Sequence, residues 1–145
     1  MNKKPILLVA EKDSNSFHLM KKQLRDSGCG ISIVRFASGS ALLDLLAVAE
    51  LVEYISIKNF AVLIDVDLPE INGMKVLKRI KKNRNLKKLP IVMMMENQDP
   101  VEISYGYNLG CGGFIRKPVE TEELFSAFKK LDVHLVSKEI RETAL

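Results

Sequence analysis

Tryptophan is absent from the 145 residues, aromatics make up only 6% of them, and there are just two cysteines and two histidines. Cys29 and Cys111 stand far apart and form no C-x-x-C pair. That fits two unpaired thiols in a reducing compartment, with a regulatory disulfide as the minor alternative. His18 and His134 are isolated, which argues against a histidine-built metal centre. No apolar run approaches the ~20 residues that span a bilayer, and the short lead into the first apolar segment has no signal-peptide core. A cytosolic protein without a membrane partner is expected. No glycine-rich loop follows the first strand-like segment, which argues against a phosphate cradle for a small ligand. No repeat, low-complexity tract or linker interrupts the chain.

With 47% hydrophobic and 28% charged residues, the composition is that of one ordinary domain with a real core. Its pivot is the stretch Phe60 to Pro69, where five apolar residues run straight into Asp65 and Asp67 and then a proline. A continuous apolar run reads as a strand covered on both faces, and ligands bind at the carboxyl ends of such strands. Asn72-Gly73 supplies the turn into the next helix.

Around this pivot, strand and helix patterns alternate. Pro5 to Val9 is a buried strand followed by Ala10-Glu-Lys-Asp13, and Ser14 or Asn15 is placed to cap a helix with Phe17, Met20 and Leu24 inward. Ile31 to Phe36 reads as a strand nearer an edge. Ser38 to Ser40 opens a helix through Leu42, Leu45, Leu46 and Ala49, and the segment 51–58 either prolongs it or forms a loop. Met74, Leu77 and Ile80 mark a third helix with its lysines outward. Pro90 to Met95 is a strand and Pro100 to Leu109 a helix stopped by Gly110, weakened at Gly106 by roughly 1 kcal/mol relative to alanine. Gly113 to Arg116 is a short strand closed by Lys117-Pro118. Thr121 is expected to cap the last helix, with Leu124, Phe125, Phe128 and Leu131 inward. Five strands alternating with five helices predict an α/β fold, a doubly wound parallel sheet. Its loops would bring Glu11, Asp13, Asp65, Asp67, Met95, Glu96 and Lys117 to one crevice.

Leu7-Leu-Val9 with acids after it, Leu63-Ile-Asp65 with Leu68-Pro69 and Asn72-Gly73, Leu89-Pro90, and Gly113-Phe-Ile-Arg-Lys117-Pro118 together resemble a response-regulator receiver domain of the CheY-like class, over essentially the whole chain. Leu109-Gly110, Lys117-Pro-Val119 and the apolar tail Leu131 to Val136 are similar to the stand-alone receivers that partner bacterial phytochromes. The resemblance implies a flavodoxin-like (βα)5 sheet of strand order 2-1-3-4-5. It also implies phosphoryl transfer from a sensor histidine kinase, possibly of phytochrome type, to Asp65, and signalling by contact with a downstream protein rather than enzyme activity beyond self-phosphorylation. Mg²⁺ would be held by Asp65, Glu11 and the backbone of Asp67, with Asp13 as the alternative acid, while Lys117 meets the phosphoryl oxygens. The chemistry is reasonable: a carboxylate approaching a phosphate needs a metal ion and a cation to offset the like charge.

This chain departs from the family at the switch. Ala10 and Glu11 stand where two adjacent acids are usual, so Mg²⁺ binding is expected to be weak. Met95 replaces the usual Ser or Thr, and a thioether donates no hydrogen bond. Glu96 replaces a small residue and opposes an incoming phosphate. Phe114 keeps the aromatic bulk of the fifth strand. The competing expectation is a pseudo-receiver that acts as a binding scaffold without phosphotransfer. Lys75, Lys78, Arg79, Lys81, Lys82, Arg84, Lys87 and Lys88 crowd the third helix and the loop after it, but no nucleic-acid reader motif accompanies them, so no nucleic-acid partner is expected. The receiver domain is expected over residues 1–132. The tail, 133–145, would extend the last helix, fold back on the domain or pair two copies into a homodimer.

Overall fold

Apolar residues two apart in short runs, and three or four apart in longer ones, fold as alternating strands and helices in the computed structural model, which describes residues 4–52 and 57–136. In chain order these are β1 (Ile6–Ala10), α1 (Ser14–Asp26), β2 (Ser32–Phe36), α2 (Gly39–Leu51), β3 (Phe60–Asp65), α3 (Gly73–Lys82), β4 (Ile91–Met95), α4 (Pro100–Leu109), β5 (Gly113–Arg116) and α5 (Thr121–Lys129). A short 3-10 turn, Ile57–Asn59, leads into β3. The open segment at 51–58 thus resolves at both ends, as the close of α2 and this turn, while 53–56 lie outside the described residues.

All five strands are parallel, in the order β2-β1-β3-β4-β5. Side chains alternate between the two faces of the sheet. Leu8, Val62, Ile64, Ile91 and Met93 meet α2, α3 and α4 on one side. Leu7, Val9, Leu63, Val92, Met94 and Ile115 meet α1 and α5 on the other. Burial on both faces is why β3 reads as unbroken apolar sequence, and each such side chain contributes about 1.5–3 kcal/mol. A charge at Leu63, which is fully buried, would break this core. The order places the central strand between β1 and β4, so β3 delivers its last residue, Asp65, to the crevice between the loops.

Several local expectations are corrected. Asp13, not Ser14 or Asn15, caps α1: its carboxylate accepts from the backbone amides of Asn15 and Ser16. Glu120 occupies the cap position of α5 and makes no side-chain capping bond, while Thr121 is the first helical residue. The lysines of α3 do not all face outward. Lys81 turns in and donates to the carbonyls of Lys87 and Leu89, at 2.9 and 3.0 Å, holding the loop before β4. Helix α5 ends at Lys129, and within the described residues the tail does not extend it. Instead Leu135 is 2% exposed, packed into the α1/α5 side of the core. No helix among the described residues is long and apolar enough to cross a membrane.

Candidate functional site

The carboxyl ends of β1, β3 and β5 bring three charged side chains to one point. Lys117, just after β5, places Nζ 2.6 Å from Oδ2 of Asp65 and 2.6 Å from Oε1 of Glu11. The two carboxylates are each 2% exposed, and they are the only buried charged residues among those described. One amine therefore pairs with two buried acids and leaves the trio one negative charge in excess, an arrangement in which losing the amine would be costly. Lys117 is fixed in turn by its own amide, which donates to the Met95 carbonyl at 2.9 Å.

Glycine sets how closely α3 approaches the acid. The Gly73 amide donates to the Val66 carbonyl at 2.8 Å, and a methyl group on Gly73 would overlap the Asp65 carbonyl. The Asp67 amide donates to Oδ1 of Asp65 at 2.9 Å, fixing the carboxylate from the other side. Burial pushes the Asp65 carboxyl up to about 6, against the downward pull of Lys117 and of the Asp67 amide. For Lys117 burial acts to lower the affinity for a proton, but Asp65 and Glu11 outweigh it and the amine is held above its usual 10.5.

Asp13 does not join this group. Its carboxylate is held low by the amides of Ser16 and Asn15, as expected of a helix cap. The Asp67 carboxylate is exposed and is engaged by Lys12 Nζ at 2.6 Å. Among the described residues no three His, Cys, Asp or Glu side chains converge as a metal cluster. The donor set is two hard carboxylates, Glu11 and Asp65. That fits Mg²⁺, which commonly takes one or two protein carboxylates and keeps several waters.

At the switch positions, Met95 ends β4 and is buried, while Glu96 is exposed. A groove of about 850 Å³ opens beside Glu11 and Lys117, between α1 and the segment before α5, with Phe17 and Met20 on its wall. Phe114 lies against α4, its ring 5.5 Å from that of Tyr107 in an edge-on arrangement. A methyl group on Gly106 would overlap this ring. The glycine that weakens α4 in isolation is the seat of Phe114.

Two groups escaped the sequence reading. Arg35, on β2, donates from Nε to the Glu11 carbonyl at 2.9 Å and from Nη2 to the Lys12 carbonyl at 2.8 Å, and so holds the loop after β1. Lys12 then reaches from the loop after β1 to Asp67 on the loop after β3. The alternation of charges in Glu11-Lys-Asp13 was the only available signal, and it does not specify partners 55 residues away.

The model of the response regulator receiver domain matches residues 7–129. The chain belongs to that family. This receiver is 28% identical over 131 residues to the response regulator Rcp1 of Synechocystis, covering 89% of the chain and 86% of Rcp1. It is 33% identical over 82 residues to the transcriptional regulatory protein CrdR of Helicobacter pylori, covering 56% of the chain and 38% of CrdR. The solved bacteriophytochrome response regulator AtBRR superposes with a TM-score of 0.77 at 25% identity, covering 94% of this receiver and 98% of that chain. The receiver spans 37% and 55% of the length of two other curated relatives, the ycf29 proteins of Pyropia yezoensis and Porphyra purpurea. The flavodoxin-like fold, the CheY-like class and a place in two-component signalling thus follow.

Proposed function

We propose that this receiver acts alone, accepts a phosphoryl group at Asp65 from the phosphohistidine of a sensor kinase, and signals by protein contact. The observation that carries the reading is the amine of Lys117 held between Asp65 and Glu11. It supports phosphoryl acceptance because one cation already offsets part of the negative charge of the acceptor and its neighbour. As an Asp65 oxygen bonds to phosphorus, the bond from phosphorus to the donor nitrogen breaks and the imidazole leaves. Lys117 exchanges Asp65 Oδ2 for a phosphoryl oxygen while its contact with Glu11 keeps it in place. Glu11, Asp65 and the Asp67 backbone are the groups that would hold Mg²⁺, and the ion supplies further charge neutralisation when bound.

The lengths of Rcp1 and AtBRR support the stand-alone reading, and AtBRR supports a phytochrome-type kinase as donor; the free thiols of Cys29 and Cys111 support a cytoplasmic setting. Burial of Leu135 favours a tail that folds on its own domain over a homodimer formed through α5 and the tail. Coupling is altered at Met95, which offers no hydroxyl to pull toward a phosphoryl group, with Phe114 seated on Gly106. That same thioether favours the second reading, a phosphorylation-independent scaffold. Intact-mass measurement after incubation with acetyl phosphate and Mg²⁺ separates the two. The leading reading expects one added phosphoryl group that Asp65→Asn lacks; an unchanged mass under all conditions leaves the scaffold.

A further inference from the structure

A salt bridge ties together the residues that follow Glu11 and Asp65 in the chain. Lys12 Nζ lies 2.6 Å from Oδ2 of Asp67, joining the loop after β1 to the loop after β3. Such exposed pairs contribute little when both side chains must be ordered for the purpose. Here the backbones of both partners are already fixed. Arg35 Nη2 holds the Lys12 carbonyl at 2.8 Å, and the Asp67 amide is spent on Asp65 Oδ1 at 2.9 Å. The pair therefore forms from two anchored loops.

Its charge changes what the pocket offers a cation. Glu11, Asp65 and Asp67 carry three negative charges and Lys12 and Lys117 two positive, so the five groups sum to −1. Lys12 both offsets one unit of negative charge and keeps the Asp67 carboxylate engaged at 2.6 Å. Opening the bridge would offer a third carboxylate to a site that has two.

We propose that Lys12 is a positioning residue that governs metal occupancy of this receiver: by clasping Asp67 it holds a potential third carboxylate ligand off and keeps Mg²⁺ binding weak. The inference rests on the reading of Asp65 and Glu11 as the metal-holding acids. It adds a residue outside them that sets how much of the pocket's charge balance comes from the protein and how much from the ion.

The test is a Mg²⁺ titration of the whole chain followed by backbone-amide NMR shifts of residues 65–67, which reports binding without any phosphoryl transfer. Lys12→Ala is expected to tighten Mg²⁺ by about three- to tenfold, as removal of one nearby positive charge in a partly solvated site should do. Lys12→Arg, which can remake the bridge, should keep the wild-type affinity. Asp67→Ala in the Lys12→Ala background should abolish the gain, because the released carboxylate is what supplies it. The gain should also shrink as salt screens the exposed charges. Equal affinity in wild type and Lys12→Ala would overturn the proposal, as would a gain that survives loss of the Asp67 carboxylate. Amides unmoved by Mg²⁺ in every variant would overturn it as well. Phosphoryl uptake at Asp65 is read separately by intact mass, so failure of the clasp and failure of the acceptor assignment are distinguishable.

Discussion

Replacing Lys117 by methionine keeps the length of the side chain and removes the charge on which the pocket depends. The amine makes two contacts of 2.6 Å, to side chains that are each 3% exposed, and is itself only 13% exposed. Breaking a buried pair by deleting one partner costs about 3–5 kcal/mol, because the remaining charge stays buried and uncompensated. Here two carboxylates are left together, so the variant must bind a proton. The sign follows from the direction of the shift. Asp65 is already raised from 3.8 to about 6, so its favourable share of stability is complete below 3.8 and is lost as pH rises through about 6. Without Lys117 its pKa moves higher still, and the variant goes on losing about 1.4 kcal/mol per pH unit where the wild type has levelled off. The penalty should be about 3–5 kcal/mol at pH 8 and about 1–2 kcal/mol at pH 5. Urea unfolding followed by far-ultraviolet circular dichroism at both pH values measures it. Lys117→Met/Asp65→Asn, which removes one of the stranded charges, should recover much of the loss and serves if the single variant is unfolded at pH 8. A penalty below about 1 kcal/mol at pH 8, or one that is the same at pH 5, would refute the reasoning, since neither is compatible with two buried carboxylates sharing one cation.

The same linkage predicts that Asp65→Asn stabilises the fold above pH 6 by up to roughly 3 kcal/mol, with the gain vanishing toward pH 4, as urea midpoints across that range would show. Gly106→Ala should destabilise despite a better helix propensity, by about 1–3 kcal/mol, because the new methyl overlaps Phe114; Phe114→Leu should relieve part of that cost in thermal unfolding. Met95→Thr introduces a hydroxyl donor at the end of β4, at a cost of about 1–2 kcal/mol for a polar group at a buried position. It should make the NMR shifts of Tyr107 and Phe114 respond to phosphodonor, and shifts as indifferent as those of the wild type would remove Met95 from the account of altered switching.

Elements defined by burial were readable in advance. The six buried residues of β3, the close of α4 at Gly110 and the meeting of Lys117 with Asp65 each rest on patterns local to the chain or on the order of a doubly wound sheet. What stayed hidden depends on partners that only tertiary structure brings close. Asp13 had the chemistry of both a ligand and a helix cap, and the position of two amides decided for the cap. Gly106 looked like a defect until Phe114 was found against it. Lys81 belonged by pattern to a solvated lysine face, yet two carbonyls of the following loop draw it inward. Arg35 and Lys12 were plain charged residues of a strand and a loop, and their role in joining the two loops has no local signature.

Asp65, among the acids on the loops around the site, is the residue proposed to take the phosphoryl group. Borohydride converts an aspartyl phosphate to homoserine, so treatment with acetyl phosphate and Mg²⁺, then borohydride, then peptide mass spectrometry, reads the position directly. Homoserine at residue 65 alone is the predicted result. Homoserine at Asp13 or Asp67, or none at all, would contradict the account.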